Sequence, residues 1–198
     1  MPPENIPVAV HGLIVLAAGN SSRLQQSKQL LRYRGESLVR RAARLGLSTA
    51  PFDAVVVVGA QADAVFSEVV DLAVRRVDCA DWPSGMGASL RAGVAALRPA
   101  CVGVLVVLCD QPALDSAHLD AVTKVWHEMP VSGVASYYRG HAGVPALLPR
   151  SWFSDLAVAA GDRGARDLIA ARAEQIRLLT NESLALDIDR PEDLSNLI

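Results

Sequence analysis

The 198-residue chain is 51% hydrophobic and 20% charged, which excludes a disordered segment and gives enough length for one domain with a full core. A formal net charge of −2 excludes bulk attraction to nucleic acid or to anionic lipid, so any basic site must be local. Cys79, Cys101 and Cys109 form no C-x-x-C pair, the opening MPPENIPVAV is no signal sequence, and no apolar run nears the ~18 residues of a membrane span, so a soluble, cytoplasmic protein is expected.

Apolar runs alternate with helical patterns along the chain. That alternation predicts an α/β fold: a Rossmann-like, doubly wound, mostly parallel sheet with helices on both faces, in a single domain over residues 1–198. Val8 to Leu16 reads as the first strand. Ser37 caps a predicted helix that runs through Leu45, with Gly46 as its stop signal. Ala54 to Val58 is a β-branched run bounded by Gly59, as expected of a strand buried on both sides. A short helix at Ala62 to Val70, a strand at Val74 to Val77 and an Ala-rich helix at Met86 to Leu97 follow. Val102 to Leu108 is the most hydrophobic strand and runs straight into Cys109-Asp110-Gln111-Pro112. Beyond it the pattern predicts a helix from Ser116 to His127 and a strand from Val134 to Tyr138. Pro145 to Leu148 reads as extended, Ala165 to Ala173 as helical and Gln175 to Leu179 as a strand. Leu184 to Ile188 reads as a further extended stretch, and Pro191 to Leu197 as a closing helix.

The segment LAAGNSSRLQQSKQLL, Leu16 to Leu31, carries the functional signal. A dinucleotide fingerprint needs G-x-G-x-x-G and a Walker A loop needs G-x-x-x-x-G-K-[ST]; here Gly19 stands alone and Lys28 is followed by Gln29, so both fail. An ordinary polar connection needs only the Gly, Asn and Ser residues. Arg23 and Lys28 add two cations to a loop small enough for its backbone N–H groups to approach a polyphosphate.

Asp110 ends the central strand. An unpaired carboxylate is costly in a core, and Asp115 and Ser116 are better placed to cap the next helix, so Asp110 is read as a metal ligand. In LDIDRPED, Glu192 and Asp193 fit the first turn of a helix after Pro191, which leaves Asp189 at a strand end as the second carboxylate. Mg²⁺ takes one or two carboxylates and completes its shell with water and phosphate oxygens. In open α/β sheets ligands sit beyond the strand C-termini, so the Gly19 loop and the Asp110 turn are expected to face each other across one crevice. WPSGMGASLRAG places Gly85 ahead of a helix that carries Ser89, a candidate contact for a base edge. GDRGAR, Gly161 to Arg166, reads as a plain turn or as a loop reaching the site. No histidine has metal-ligand spacing, and no Ser or Cys sits in a nucleophile elbow.

Taken together, LAAGNSSRLQQSKQLL, DWPSGMGASLRAGV, LCDQP, GVPALL, GDRGAR and DIDRPEDL, in this order, resemble the molybdenum cofactor cytidylyltransferase group of nucleotidyltransferases, itself close to the molybdenum cofactor guanylyltransferases. The resemblance implies transfer of CMP from CTP to the phosphate of molybdopterin, with Mg²⁺ (or Mn²⁺) and release of pyrophosphate. By resemblance, Leu16, Ala17, Ala18, Gly19, Asn20, Ser21 and Ser22 hold the nucleotide, with Arg23 and Lys28 on its phosphates and Gly85 and Ser89 beside the base. Asp110 and Asp189 hold the metal. Gly143, Pro145, Asp162, Gly164 and Arg166 shape the acceptor side, and a molybdenum apoenzyme is a further partner to expect. The sequence departs from the group's pattern at Asn20, Gln25, Ser27 and Val144, where a basic residue or glycine, glycine, proline and histidine are common. CTP over GTP rests on resemblance alone, as does the acceptor: a sugar or alcohol phosphate is the alternative within enzymes. A non-catalytic adaptor that carries cofactor to a molybdenum enzyme is the alternative outside them.

Overall fold

The computed structural model describes residues 9–21, 24, 26–188, 192 and 193. A seven-stranded sheet forms the middle layer. Its strands are β1 (His11–Ala17), β4 (Asp53–Val58), β5 (Arg75–Asp78), β6 (Gly103–Leu108), β7 (Gly133–Tyr138), β8 (His141–Pro149) and β9 (Ile176–Thr180). A small separate hairpin of β2 (Arg32–Tyr33) and β3 (Glu36–Ser37) lies between β1 and α1 in the chain. The helices are α1 (Leu38–Leu47), α2 (Ala62–Ser67), α3 (Met86–Ala96), α4 (Ser116–Glu128), α5 (Phe153–Leu156) and α6 (Arg166–Ala171).

The sheet order is β5-β4-β1-β6-β8-β7-β9, and only β8 runs against its neighbours. β8 is reversed because β7 turns back through Arg139 and Gly140, both with positive φ (50° and 76°), the tight connection that suits a twisted hairpin. The expected mostly parallel, doubly wound sheet is therefore the observed one.

Side chains alternate along β1. Leu13 and Val15 enter the core shared with α1, α2 and α4, whereas Ile14 and Leu16 enter the core shared with α3, α5 and α6. Both faces are covered, which is why β1 and β4 are buried at every residue and read as unbroken apolar runs. The crossover leaving β1 passes over one face through α1, and the one entering β6 passes over the other through α3. β1 and β6 are neighbours, so their C-termini bound the crevice where a ligand is expected.

Two local readings need correction. Gly46 lies inside α1 rather than ending it: a Cβ there would stand 2.6 Å from both Leu13 δ-carbons, so glycine permits a close helix–sheet approach. Leu184 to Ile188 forms no strand. A 3-10 turn covers Glu182–Ala185, started by Asn181, whose side-chain oxygen accepts the Ser183 N–H at 3.2 Å. The expected closing helix from Pro191 falls almost wholly outside the described residues.

Candidate active site

The loop after β1 is held from behind by one buried glutamine. Gln29, 1% exposed, donates its amide hydrogens to the carbonyls of Ala17 (3.2 Å) and Gly19 (2.7 Å). Its oxygen accepts from the hydroxyls of Ser27 (2.7 Å) and Ser21 (3.3 Å). Ser21 adopts a left-handed φ of 52°, and its Oγ accepts the Lys28 N–H at 3.0 Å. A fully satisfied buried amide fixes a loop strongly, because leaving any of its groups unpaired costs about 1–3 kcal/mol. Leu16, Ala18, Gly19 and Asn20 are thereby presented to the crevice, while Ala17 and Ser21 serve as anchors behind it.

Across the crevice Asp110 follows β6. Its Oδ2 accepts from Lys28 Nζ at 2.7 Å, and the two side chains are only 15% and 18% exposed. Asp110 Oδ1 is buried with no hydrogen-bond partner among the described residues. Next to it, burial pushes the Cys109 thiol up to about 12, with the Asp110 charge adding to the effect, so this cysteine is inert as a nucleophile.

Lys28 and Asp110 border a cleft of about 410 Å³ whose other wall holds Trp82, Pro83, Gly85, Met86 and Ser89. Gly85, with φ 104°, sits so close to the 159–164 loop that a Cβ would meet Asp162 Oδ1 at 2.5 Å. The Gly87 N–H donates to the Gly161 carbonyl at 2.9 Å, which ties this loop to the start of α3. A second, smaller pocket of about 110 Å³ adjoins the first and shares Leu16, Met86, Leu108 and Asp162 with it. Tyr138, Gly143, Val144 and Arg166 line its far side.

Gln111, the residue after Asp110, is buried behind the smaller pocket and braces two of its lining residues, Tyr138 and Val144. Its amide nitrogen lies 3.1 Å from Tyr138 Oη, 3.2 Å from the Val144 carbonyl and 3.3 Å from the Leu184 carbonyl. The Tyr138 hydroxyl donates to the Val144 carbonyl at 2.9 Å. Burial pushes that hydroxyl's pKa up, against the Gln111 hydrogen bond and the Arg166 charge, so it stays a neutral donor.

The predicted residues thus divide. Leu16, Ala18, Gly19, Asn20, Lys28, Gly85, Ser89 and Asp110 meet at the larger cleft, Gly143 and Arg166 line the smaller, and Asp162 borders both. Pro145 and Gly164 border neither; the Pro145 carbonyl accepts from Ser136 Oγ (2.7 Å), and Gly164 lies under Met86. Ser22, Arg23 and Asp189 lie outside the described residues. The Ile188 N–H donates to the Asp110 carbonyl at 3.0 Å, so the chain reaches Asp110 one residue before Asp189. Sequence reasoning missed Gln29, Gln111 and Trp82. The signal for Trp82 was its place near Gly85; Gln29 gave none because its partners in the same loop meet it only once that loop folds back, and Gln111 gave none because its partners lie far along the chain.

No cluster of three or more His, Cys, Asp or Glu exists among the described residues, so they build no closed transition-metal cage by themselves. A single buried carboxylate oxygen without a donor, beside a cleft, fits the open, water-completed site of a hard divalent cation.

Comparisons with known proteins bear on the fold and the family. A nicotine blue oxidoreductase of Paenarthrobacter nicotinovorans is 33% identical over 93% of this chain and 95% of its own. Rv0371c of Mycobacterium tuberculosis H37Rv superposes with a TM-score of 0.82 at 27% identity, covering 96% of this chain and 98% of that one. A structure of Rv0371c in complex with manganese superposes at 0.77 with 24% identity, covering 96% and 98%. A nucleotidyl transferase from Methanothermobacter thermautotroptrophicus shares the fold, with a TM-score of 0.79 at 21% identity over 94% of this chain and 95% of its own. A family model described as a MobA-like NTP transferase domain matches residues 13–176, and the chain belongs to that nucleotidyltransferase family.

Proposed function

We propose that this enzyme transfers the CMP group of CTP to the phosphate of a molybdopterin-type acceptor and releases pyrophosphate. The observation that carries the reading is the Lys28–Asp110 pair at the cleft, with Asp110 Oδ1 buried and without a hydrogen-bond partner among the described residues. The acceptor's phosphate oxygen attacks the α-phosphorus; a new O–P bond forms, and the bond to the bridging oxygen breaks as pyrophosphate leaves with the electron pair. A phosphate monoester is already largely dianionic at pH 7, its second pKa being about 6, so no strong general base is required. The barrier is set by repulsion between two anions.

This chain's residues answer that repulsion from both sides. Lys28, with Arg23, takes the triphosphate, and the Gly19 loop brings backbone N–H groups to it. On the acceptor side Arg166 makes no ion pair among the described residues, which leaves its charge for the acceptor's phosphate. Asp110, with Asp189 as second carboxylate, would hold Mg²⁺ or Mn²⁺, which when bound neutralises phosphate charge. The manganese complex of Rv0371c supports a divalent cation. CTP and the molybdopterin acceptor rest on the sequence resemblance, and the pockets support two anionic ligands side by side. Pyrophosphate release measured with each nucleoside triphosphate, with and without molybdopterin, tests the reading. Release with CTP that depends on the acceptor is expected, and release with a sugar or alcohol phosphate instead replaces the acceptor.

One observation favours a second reading: the Paenarthrobacter relative is named an oxidoreductase. A nicotinamide dinucleotide would need close backbone approach from a G-x-G-x-x-G turn, and here Gly19 is alone. NADPH oxidation by the same preparation, followed by absorbance, decides for that reading if it occurs without pyrophosphate release.

A further inference from the structure

Of the three tryptophans, Trp126 and Trp152 are core residues, 0% and 1% exposed. Trp82 is half-buried and lines the larger cleft. Its placement is built from several sides. The Trp82 N–H donates to the Cys79 carbonyl at 3.3 Å, the Gly85 N–H donates back to the Trp82 carbonyl at 3.1 Å, and the Cys79 N–H is held by the Val58 carbonyl at 2.9 Å. At Gly59, just after β4, a Cβ would stand 2.6 Å from Trp82 Cγ, so the absence of a side chain there is what admits the indole.

Sheet order then sets its distance from the chemistry. Trp82 is seated at the C-terminal end of β4, Asp110 follows β6, and β1 with its loop runs between them. Two strand spacings make about 10 Å. That separation suits a ligand with an aromatic ring at one end and phosphates at the other. A large ring left half-exposed on a cleft wall supplies a stacking face for any nucleobase.

We propose that Trp82 is the platform on which the nucleobase stacks, an inference that rests on the nucleotide reading above. Stacking sets affinity and the direction of the base, not its identity, since every base has a π-face. Because Trp126 and Trp152 are enclosed and cannot touch a ligand, a ligand-dependent change in tryptophan emission reports mainly on Trp82.

Titration with CTP in the presence of Mg²⁺ is expected to quench that emission, and inorganic tripolyphosphate is expected to bind without quenching it. By calorimetry, Trp82→Leu should weaken CTP binding by roughly tenfold or more, within what base–aromatic stacking supplies, and leave tripolyphosphate binding unchanged. Trp82→Phe, which keeps an aromatic face, should stay within about threefold of wild type. Wild-type quenching and the phenylalanine variant still decide the matter if the leucine variant does not fold. CTP binding with unchanged emission, equal quenching by tripolyphosphate, or full affinity in Trp82→Leu overturns the stacking role and leaves the nucleotide reading standing. No CTP binding to the wild-type chain overturns that reading, and the stacking role with it.

Discussion

Lys28 answers to two anions. Its ammonium is 2.7 Å from Asp110 Oδ2, the carboxylate assigned to a divalent cation, and the nucleotide reading asks it to neutralise a triphosphate. A cation arriving at Asp110 must displace or repel Lys28, and a phosphate arriving at Lys28 releases Asp110, so the two ligands assist each other's binding. Lys28→Met should therefore tighten Mn²⁺ binding to the nucleotide-free protein by about tenfold or more, roughly 1.4 kcal/mol, while weakening CTP. Electron paramagnetic resonance of free Mn²⁺ measures the first effect. Equal Mn²⁺ affinity in both proteins would show that Lys28 and the cation do not compete for Asp110. Lys28 and Asp110 stood out before any geometry, because a cation in a small-residue loop and a carboxylate just after an apolar strand are conspicuous. Gln29 did not: its value lies in holding two loop carbonyls and two hydroxyls at once, which only the folded loop displays.

At the scale of elements, the legible pieces are those whose sequence reports burial on both faces. β1, β4 and β6 were readable as apolar runs, and Asp115 was readable as a cap, its Oδ1 accepting the His118 N–H at 2.8 Å. The stretch from Leu184 to Ile188 misled because its apolar residues suggest a strand, whereas the Asn181 side chain bends the backbone into a turn over Glu182–Ala185. That turn matters for the site. Leu184 offers its carbonyl to Gln111, 73 residues away in sequence, and Ile188 then pairs with Asp110. Gln111→Leu keeps most of the shape and removes the donor shared by the Val144 and Leu184 carbonyls. It should cost about 1–3 kcal/mol, measured by urea unfolding, since the buried Leu184 carbonyl loses its donor while the Val144 carbonyl keeps the Tyr138 hydroxyl. It should also slow transfer to the acceptor more than it weakens CTP binding. A loss below about 0.5 kcal/mol would mean that water replaces the amide without penalty.

Across the whole molecule, the functional end of the sheet is opposed by a sealed end. His11, 3% exposed at the start of β1, pairs with Thr49 Oγ1 at 2.9 Å and packs edge-on against Trp126. Burial, and after it the nearby His127, lowers the His11 pKa from 6.5 to about 4. A histidine with a depressed folded pKa binds fewer protons than the unfolded chain between those values, so its contribution is complete above pH 6.5 and is lost as pH falls toward 4. The loss from this group is on the order of 3 kcal/mol. Burial also lowers the His118 pKa, which acts in the same direction. Urea unfolding at pH 7 and pH 4.5 should show a steeper decline in the wild type than in His11→Gln, whose amide can still meet Thr49. Parallel declines would show that His11 titrates alike in both states.

Asp110 is assigned the organising role in transfer between the two pockets, and Asp110→Ala probes that role in the pyrophosphate-release assay with CTP and molybdopterin. The expected result is a folded protein whose turnover falls far more than tenfold below wild type and is no longer restored by added Mg²⁺ or Mn²⁺. Turnover within about tenfold of wild type, roughly 1.4 kcal/mol of barrier, would remove Asp110 from the chemistry.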